Sequence, residues 1–426
     1  MRHRAPIKAI VWTFVLTLAA TLLVVNLGGS EKKLDEQIRR EYSLHDAQYQ
    51  RVLGAMLGPP ITGGNRFEAL YNGDRIFPPM LAAIRGAKES ITFETYIYWS
   101  GDIGRAFADA LSERARAGVP VHVLLDWVGS AKVDDDFIKE MESAGVQVRR
   151  FHKPSWYDIG RMNNRTHRKL LVVDGRVGFT GGVGIAPEWT GHAQDAKHWR
   201  DSHYKVEGPV VAQMQAVFMD NWIKVSGDVL HGERYFPRLA PVGDGRAQVF
   251  SSSPSGGSES MHLMYLLSIA AATKIIDLSS AYFVPDDLTV GALVAAMRRG
   301  VRLRIITPGP IIDSKTVRAA SRASWGPLLE AGAEISEYQP TMFHCKVFMV
   351  DGLLVSVGST NFDNRSFRLN DEANLNIYDE AFATAETVQF EADLAQSKRI
   401  TLEAWKNRPL HEKAMEHLAS VLSVQL

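Results

Sequence analysis

The sequence predicts an α/β protein of two pseudo-symmetric halves, preceded by one N-terminal transmembrane helix. Three observations predict it. A strand–helix–strand pattern occurs twice in the same order. Each copy leads to the same signature, His167 to Gly175 and His344 to Gly352, both fitting H-x-K-x-x-x-x-D-G. An uncharged apolar run from Ala9 to Leu27 precedes both. The expected organisation is an anchor over 1–30, a linker over 31–65, a first half over 66–235 and a second half with C-terminal helices over 236–426.

Composition bounds the function. Of 426 residues, 46% are hydrophobic and 23% charged, which excludes a largely disordered chain and a multi-span membrane protein. Lys plus Arg total 48 and Asp plus Glu total 48. A nucleic-acid binder relying on a broad basic field is therefore not expected. The single cysteine, Cys345, excludes an intramolecular disulfide framework and a multi-cysteine zinc site.

The run from Ala9 to Leu27 is just long enough to cross a bilayer, and Arg2, Arg4 and Lys8 precede it. A cleaved signal peptide begins the same way, but the exit Val24-Val25-Asn26-Leu27-Gly28-Gly29 has no clear small-x-small site. An anchor is the favoured reading. Lys32, Lys33, Arg39 and Arg40 follow the run, so the charge bias leaves the membrane side of the body open. Glu31 to about Gly64 reads as a charged amphipathic linker helix ending in a Gly/Pro-rich break.

In the first half, Ile91 to Tyr98 reads as a strand, Ile103 to Ala117 as a helix and Gly118 to Asp126 as a strand. In the second, Lys274 to Leu278 and Ala281 to Pro285 read as strands, Leu288 to Arg299 as a helix and Gly300 to Ile306 as a strand. The apolar runs after each signature histidine are strands, and Asp-Gly is a two-residue hairpin turn. On a strand, His167 and Lys169 share a face, as do His344 and Lys346. The odd offset of Asp174 and Asp351 turns them away, so they support the turn more than they touch substrate. A two-residue turn sets His344 opposite Ser359, with Asn361 on the same face, and sets His167 opposite Gly182, with Gly184 beside it.

Two histidines and two lysines in one site suit phosphoryl chemistry. Lysines neutralise phosphate oxygens, one neutral imidazole attacks phosphorus, and the other donates a proton to the leaving oxygen. Asp201 and Glu372 are the candidate carboxylates for orienting the histidines. A metal site is the weaker alternative, because the lysines would repel a cation. Cys345 alternates away from the site face.

The paired signatures resemble the two HKD motifs of the phospholipase D superfamily, most closely its bacterial cardiolipin synthases. Further stretches carry the resemblance, among them Asn164-Arg165-Thr166-His167-Arg168-Lys169, Trp199-Arg200-Asp201-Ser202-His203, Gly358-Ser359-Thr360-Asn361 and Asn361 to Asn370. The resemblance runs from about residue 66 to the C-terminus. It implies two phospholipase D-like α/β/α halves and a site at their interface. It implies a catalytic set of His167, Lys169, Asp174, His344, Lys346 and Asp351, with substrate contacts from Ser359, Asn361, Gly182 and Gly184, and no metal or cofactor. His167 becomes a phosphohistidine and His344 is the acid/base by analogy, although the sequence would allow the two to exchange.

The implied reaction transfers a phosphatidyl group between two phosphatidylglycerols at a membrane. Nucleic acid is not an expected partner, and a monomer would suffice. A phospholipase D hydrolase, a nuclease and a non-catalytic membrane scaffold are the alternatives. The sequence departs from its relatives in having Gly184 where Asn is common, and one span where many have two or none.

Other segments say less. Phe151 to Met162 reads equally as a lipid-facing loop or a packed connection. Glu188 to His198, with Trp189 and Trp199, reads as a lid or a surface loop. The tail from Ala381 to Leu426 reads as helices, with Trp405 and Leu418-Val421-Leu422 as core.

Overall fold

The computed structural model describes residues 7–27, 36–40, 42–151, 164–253 and 259–420. The first half contributes β1 (Thr62–Tyr71), β2 (Ile91–Thr95), β3 (Val121–Asp126), β4 (Gln147–Phe151), β5 (Arg165–Thr166), β6 (Leu170–Val173), β7 (Val177–Gly181) and β8 (Ser202–Glu207). The second contributes β9 (Gly245–Ser252), β10 (Ile275–Ser280), β11 (Phe283–Val284), β12 (Arg302–Pro308), β13 (Glu334–Tyr338), β14 (Lys346–Val350), β15 (Leu354–Gly358), β16 (Phe362–Asp363), β17 (Asn370–Tyr378) and β18 (Ser397–Ile400).

The two halves follow one plan. In space the first runs β1-β8-β7-β6-β2-β3-β4, and the second runs β9-β17-β15-β14-β10-β12-β13 with β18 added at the edge. They join where β1 pairs antiparallel with β9, making one 16-stranded sheet among the described residues. The expected βαβ units are present. β2 and β3 are parallel with helix Asp102–Arg116 between them, and β10 and β12 are parallel across helix Asp287–Arg298.

The motif strands read as unbroken apolar runs because both their faces are buried. Leu171 and Val173 pack into the core of the first half. Leu170 and Val172 pack on the other face, into a core shared with Val347, Met349, Val355 and Leu375 of the second half. This shared core fuses the halves under helices Val211–Ser226 and Glu380–Ala395.

The structure corrects the predicted hairpin register. Asp174 and Gly175 both take left-handed backbone, as do Asp351 and Gly352. Each turn closes with a hydrogen bond, Arg176 N–H to Val173 O and Leu353 N–H to Val350 O. Pairing then resumes at Val173 with Val177 and at Val350 with Leu354. Arg176 and Leu353 are extra residues after the turn, and one extra residue exchanges the two faces of the partner strand.

The expected linker is part of the body. Helix Ala47–Leu57 starts at Asp46, whose carboxylate accepts the Gln48 N–H. Its Tyr49 and Leu53, with Leu44, lie in the core of the second half, and the Tyr49 hydroxyl bonds to Ser268 at 2.8 Å. β1 begins at Thr62, inside the expected linker, with its register shifting between Thr62 and Asn65. The tail holds β18 as well as helices. Trp405 is half-buried against the second core, as expected. Leu418 instead faces outward, because Glu416 and Ala419 take the inner side of its helix. Val421 and Leu422 lie outside the described residues, as does all of the Phe151–Met162 loop beyond Phe151.

The N-terminal run forms one helix, Ile7–Leu27, of 21 residues. Its described side chains are Ala9 and those from Val11 to Thr21, all exposed. Among the described residues no helix is long and apolar enough to cross a membrane.

Asp174 and Asp351 tie each hairpin to a neighbouring strand. The Asp174 carboxylate accepts the backbone N–H of Lys88, Glu89 and Ser90 at the entry to β2. Asp351 does the same for Thr273, Lys274 and Ile275 at the entry to β10. Asp351→Ala should therefore cost about 3 kcal/mol of stability, several charge-assisted hydrogen bonds being lost at once. Chemical denaturation measures that loss. Turnover per folded molecule should stay within about threefold of wild type, a change worth under 1 kcal/mol; a collapse of kcat in a fully folded variant would place Asp351 in the chemistry.

Candidate active site

Each signature histidine is held by the opposite half. β5 pairs in parallel with β17, Arg165 beside Asn370 and Thr166 beside Asp371. The His167 N–H then donates to Asp371 O at 2.9 Å. The second half mirrors this with a parallel bridge between Arg200 and Phe343, and the His344 N–H donates to Arg200 O at 2.8 Å. These crossings deliver each ring to a carboxylate on the other side. His167 Nδ1 lies 3.0 Å from both Glu372 oxygens, and His344 Nδ1 lies 2.7 Å from Asp201 Oδ2.

A carboxylate only accepts, so each Nδ1 carries a proton and each Nε2 is left as the basic nitrogen. Burial lowers the His167 pKa to about 4, against the pull of Glu372. Burial and then Lys346 also lower that of His344. Burial alone would raise Glu372, but His167, Lys169 and the Ser359 hydroxyl hold it below the usual carboxylate range. Asp201 is likewise lowered, by His344, Lys346 and the Trp189 N–H, against its burial. These shifts favour two neutral imidazoles, each on a charged carboxylate.

Burial, and then Lys346, bring the Lys169 pKa down to about 7. Burial lowers Lys346 as well. Each ammonium group donates to the carbonyl of its own histidine, Lys169 to His167 O at 2.8 Å and Lys346 to His344 O at 2.7 Å. Lys346 Nζ also lies 3.2 Å from His344 Nε2. An anion between the lysines would relieve their repulsion, so the site favours an anionic group.

Arg168 explains how the floor of the site stays rigid. It points to the opposite face and is fully buried. It donates to the carbonyls of Val217, Glu372 and Ser252 and pairs with Asp220 at 3.3 Å. One guanidinium thus ties both halves beneath the histidines.

A cavity of about 370 Å³ opens over both rings. His167, Lys169, His344 and Asn361 line it, as the sequence suggested. The buried Asn361 Oδ1 has no hydrogen-bond partner among the described residues. Ser359 is placed differently from expectation. Its hydroxyl donates to Glu372 and accepts from Ala373 N–H, so it holds the orienting carboxylate instead of facing the cavity. Gly182 and Gly184 do not line the cavity either. A Cβ on Gly182 would lie 2.1 Å from Asp201 Oδ1, and one on Gly184 would lie 2.6 Å from Ile97 Cβ. Gly182 is therefore glycine to admit Asp201. Cys345 is buried, and burial pushes its thiol pKa up.

Several lining residues were not singled out from the sequence. Trp189 and Trp199, read with Glu188 to His198 as a lid or surface loop, form the wall around His344. Their rings lie 5.2 and 5.4 Å from its ring, and the Trp189 N–H donates to Asp201 Oδ2 at 2.8 Å. Tyr96 stands edge-on to His167 at 5.1 Å. Asn370 lines the cavity and donates to Glu372 at 3.2 Å. Its position two residues before Glu372 in one strand was the available signal. Arg165 and Arg365 also line the cavity, one from each half.

A family model described as "Cardiolipin synthase, PLD-like domain" matches residues 80–222 and 265–394. The chain is 32% identical to cardiolipin synthase 2 of Bacillus anthracis, over 99% of this chain and 88% of that one. It is 36% identical to a probable cardiolipin synthase of Bacillus subtilis, over 84% and 72%. Among solved structures, it resembles the phosphatidylserine synthase of Haemophilus influenzae with a TM-score of 0.68 at 14% identity, covering 89% of this chain and 100% of that one.

The geometry makes two predictions. Glu372→Gln and Asp201→Asn should each lower kcat about 10²- to 10⁴-fold at little cost to folding, because the amide spoils the Nδ1–H tautomer. Steady-state kinetics and a melting curve test this, and near-normal kcat in either variant would contradict it. The pH dependence of kcat/KM should be shifted as well. Neutral His167 is the active form, so the rate falls as pH drops through about 4. Charged Lys169 is the active form, so it also falls as pH rises through about 7, and Lys169→Arg should remove that contribution while leaving the loss that comes from deprotonating His344, the acid. An alkaline limb at the ordinary lysine value of 10.5 would be the opposing result.

Proposed function

The chain belongs to the cardiolipin synthase family of phospholipase D-like proteins, and from that membership we propose that it joins two phosphatidylglycerols into cardiolipin and glycerol. The observation that carries the reading is the pair of histidines in one cavity, each bonded through Nδ1 to a carboxylate of the opposite half.

In the first step His167 Nε2 attacks phosphorus. The phosphorus–oxygen bond to the head-group glycerol breaks, and that oxygen takes a proton from His344. Charge on the arriving phosphate favours the protonated form of His344 that this step needs. Lys169, Lys346 and Asn361 hold the phosphate oxygens. In the second step a glycerol hydroxyl of another phosphatidylglycerol gives its proton to His344 and attacks the phosphohistidine. Cardiolipin forms and His167 is restored. The aromatic wall of Trp189, Trp199 and Tyr282 narrows the His344 side, which limits water at the step where hydrolysis would compete.

The reading extends to the surroundings. One chain supplies both histidines, so the enzyme acts as a monomer. On its sequence pattern, an uncharged apolar run after Arg2, Arg4 and Lys8, the segment from Ala9 to Leu27 serves as the membrane anchor, although the described part of its helix is not by itself long and apolar enough to span. Net charge of zero and a lipid substrate leave nucleic acid outside its range.

Incubating the full-length protein with phosphatidylglycerol vesicles tests the reading. Cardiolipin and free glycerol should appear in equal amounts, and both should vanish in His167→Ala and His344→Ala. Phosphatidic acid as the main product would make the protein a hydrolase.

A further inference from the structure

We propose that the outer face of helix Leu410–Ser420 is a docking surface that seats the catalytic body on an anionic phospholipid bilayer, one helix away from the catalytic cavity. The proposal rests on the lipid-transfer reading above, because it takes the bilayer as the source of the substrate.

The helix is inverted relative to one that faces water. Leu410, Ala414 and Leu418 recur at four-residue spacing, which puts them on one face, with Met415 beside them. Leu410 is 81% exposed, Met415 61% and Leu418 64%. A water-facing helix normally turns such residues inward. Here the inner face is occupied by Glu416 and Ala419. The Glu416 carboxylate accepts from Arg322 at 3.0 Å and from Arg408 at 2.6 Å. Rotating the helix to hide its leucines would break this buried network. The ion pairs thus lock the apolar face outward.

Exposed apolar clusters of this kind mark contact surfaces, and two observations name a bilayer as the partner. First, the helix packs along helix Lys315–Ala323, whose Val317 lines the catalytic cavity. Val317, Ala320, Val284 and Ala419 share one small core, so cavity and apolar stripe belong to one rigid layer. A substrate with two acyl chains reaches such a cavity most readily from a membrane pressed against the same layer. Second, the charge beside the stripe suits anionic head groups. A groove of about 630 Å³ alongside is lined by Trp405, Lys406, Arg408, Lys413 and His417, with Asp287 and Glu416 as its acidic members, and although Arg408 pairs with Glu416 and Lys406 with Glu330, lysine and arginine still outnumber the carboxylates in its lining. Basic residues with an amphipathic aromatic beside an apolar stripe are the composition of an interfacial helix.

The test uses the full chain in vesicles of phosphatidylglycerol and phosphatidylcholine. Leu418→Cys carries an environment-sensitive fluorophore. Cys345 is buried, so the label goes to the new thiol. Val388→Cys, at a side chain 68% exposed on the separate helix Glu380–Ala395, is the control. Nitroxide-labelled lipid should quench the label at 418 and spare the one at 388. The combined variant Leu410→Asp, Met415→Asp, Leu418→Asp should lose about tenfold of its turnover on vesicles, since apolar burial drives interfacial binding. It should keep wild-type turnover on dispersed short-chain phosphatidylglycerol. Absence of quenching at 418 would overturn the proposal. Shielding that depends on protein concentration and not on lipid would assign the face to a second copy of the chain, and would overturn it too. If wild type converts neither form of phosphatidylglycerol, the lipid-transfer reading fails, and the quenching still decides the docking surface separately.

Discussion

Everything about this site depends on two hydrogen bonds that cross between the halves, His167 to Glu372 and His344 to Asp201. Neither half alone has an oriented histidine. Each signature brings its His and Lys, but the carboxylate that fixes the tautomer comes from the partner half. The backbone enforces the exchange, since β5 pairs with β17 and Arg200 pairs with Phe343. Duplication of one βαβ-rich unit therefore gave more than two copies of a motif. The joined sheet and the shared core bring each motif to the loop that completes the other.

Burial then sets the chemistry. Taking imidazoles out of water favours their neutral form, and the neutral form is the nucleophile. The carboxylates stay charged because each accepts an N–H from its histidine. The lysines stay close despite mutual repulsion, which an arriving phosphate would relieve. The site thus suits an anion, and in the proposed reaction the phosphate of the substrate supplies the charge that the acid step requires.

Much of this was legible in the sequence, and what was not has identifiable causes. The βαβ units appeared within a few residues of their expected places because alternation and length distinguish helix from buried strand. His167, Lys169, His344 and Lys346 were legible because a duplicated polar pattern inside apolar strands is hard to explain otherwise, whereas Asn361 was expected from a hairpin register that the structure does not have and lines the cavity beyond the end of the ladder. The hairpin register was not, because Arg176 and Leu353 look like ordinary strand residues. Ser359 still reached the site, since the chain leaves the ladder after Gly358, but it reached Glu372 and not the cavity. Asp201 and Glu372 were recognisable as orienting groups, yet which served which histidine depends on the crossing of the halves. Gly182 seemed to offer room for substrate, and that room holds the Asp201 carboxylate. Helix Ala47–Leu57 read as a linker because an amphipathic pattern does not name its partner. Leu418 read as core because the ion network behind it joins residues far apart in the chain.

The proposed reaction turns on covalent transfer through His167 with His344 as its acid and base. The most direct measurement mixes the wild-type protein with phosphatidylglycerol, stops the reaction within the first turnover in alkaline denaturant that preserves phosphohistidine, and maps the adduct by mass spectrometry. The adduct should be a phosphatidyl group on His167, with none on any residue of His167→Ala. An adduct on another residue, or its absence while the wild-type protein makes cardiolipin, would contradict it.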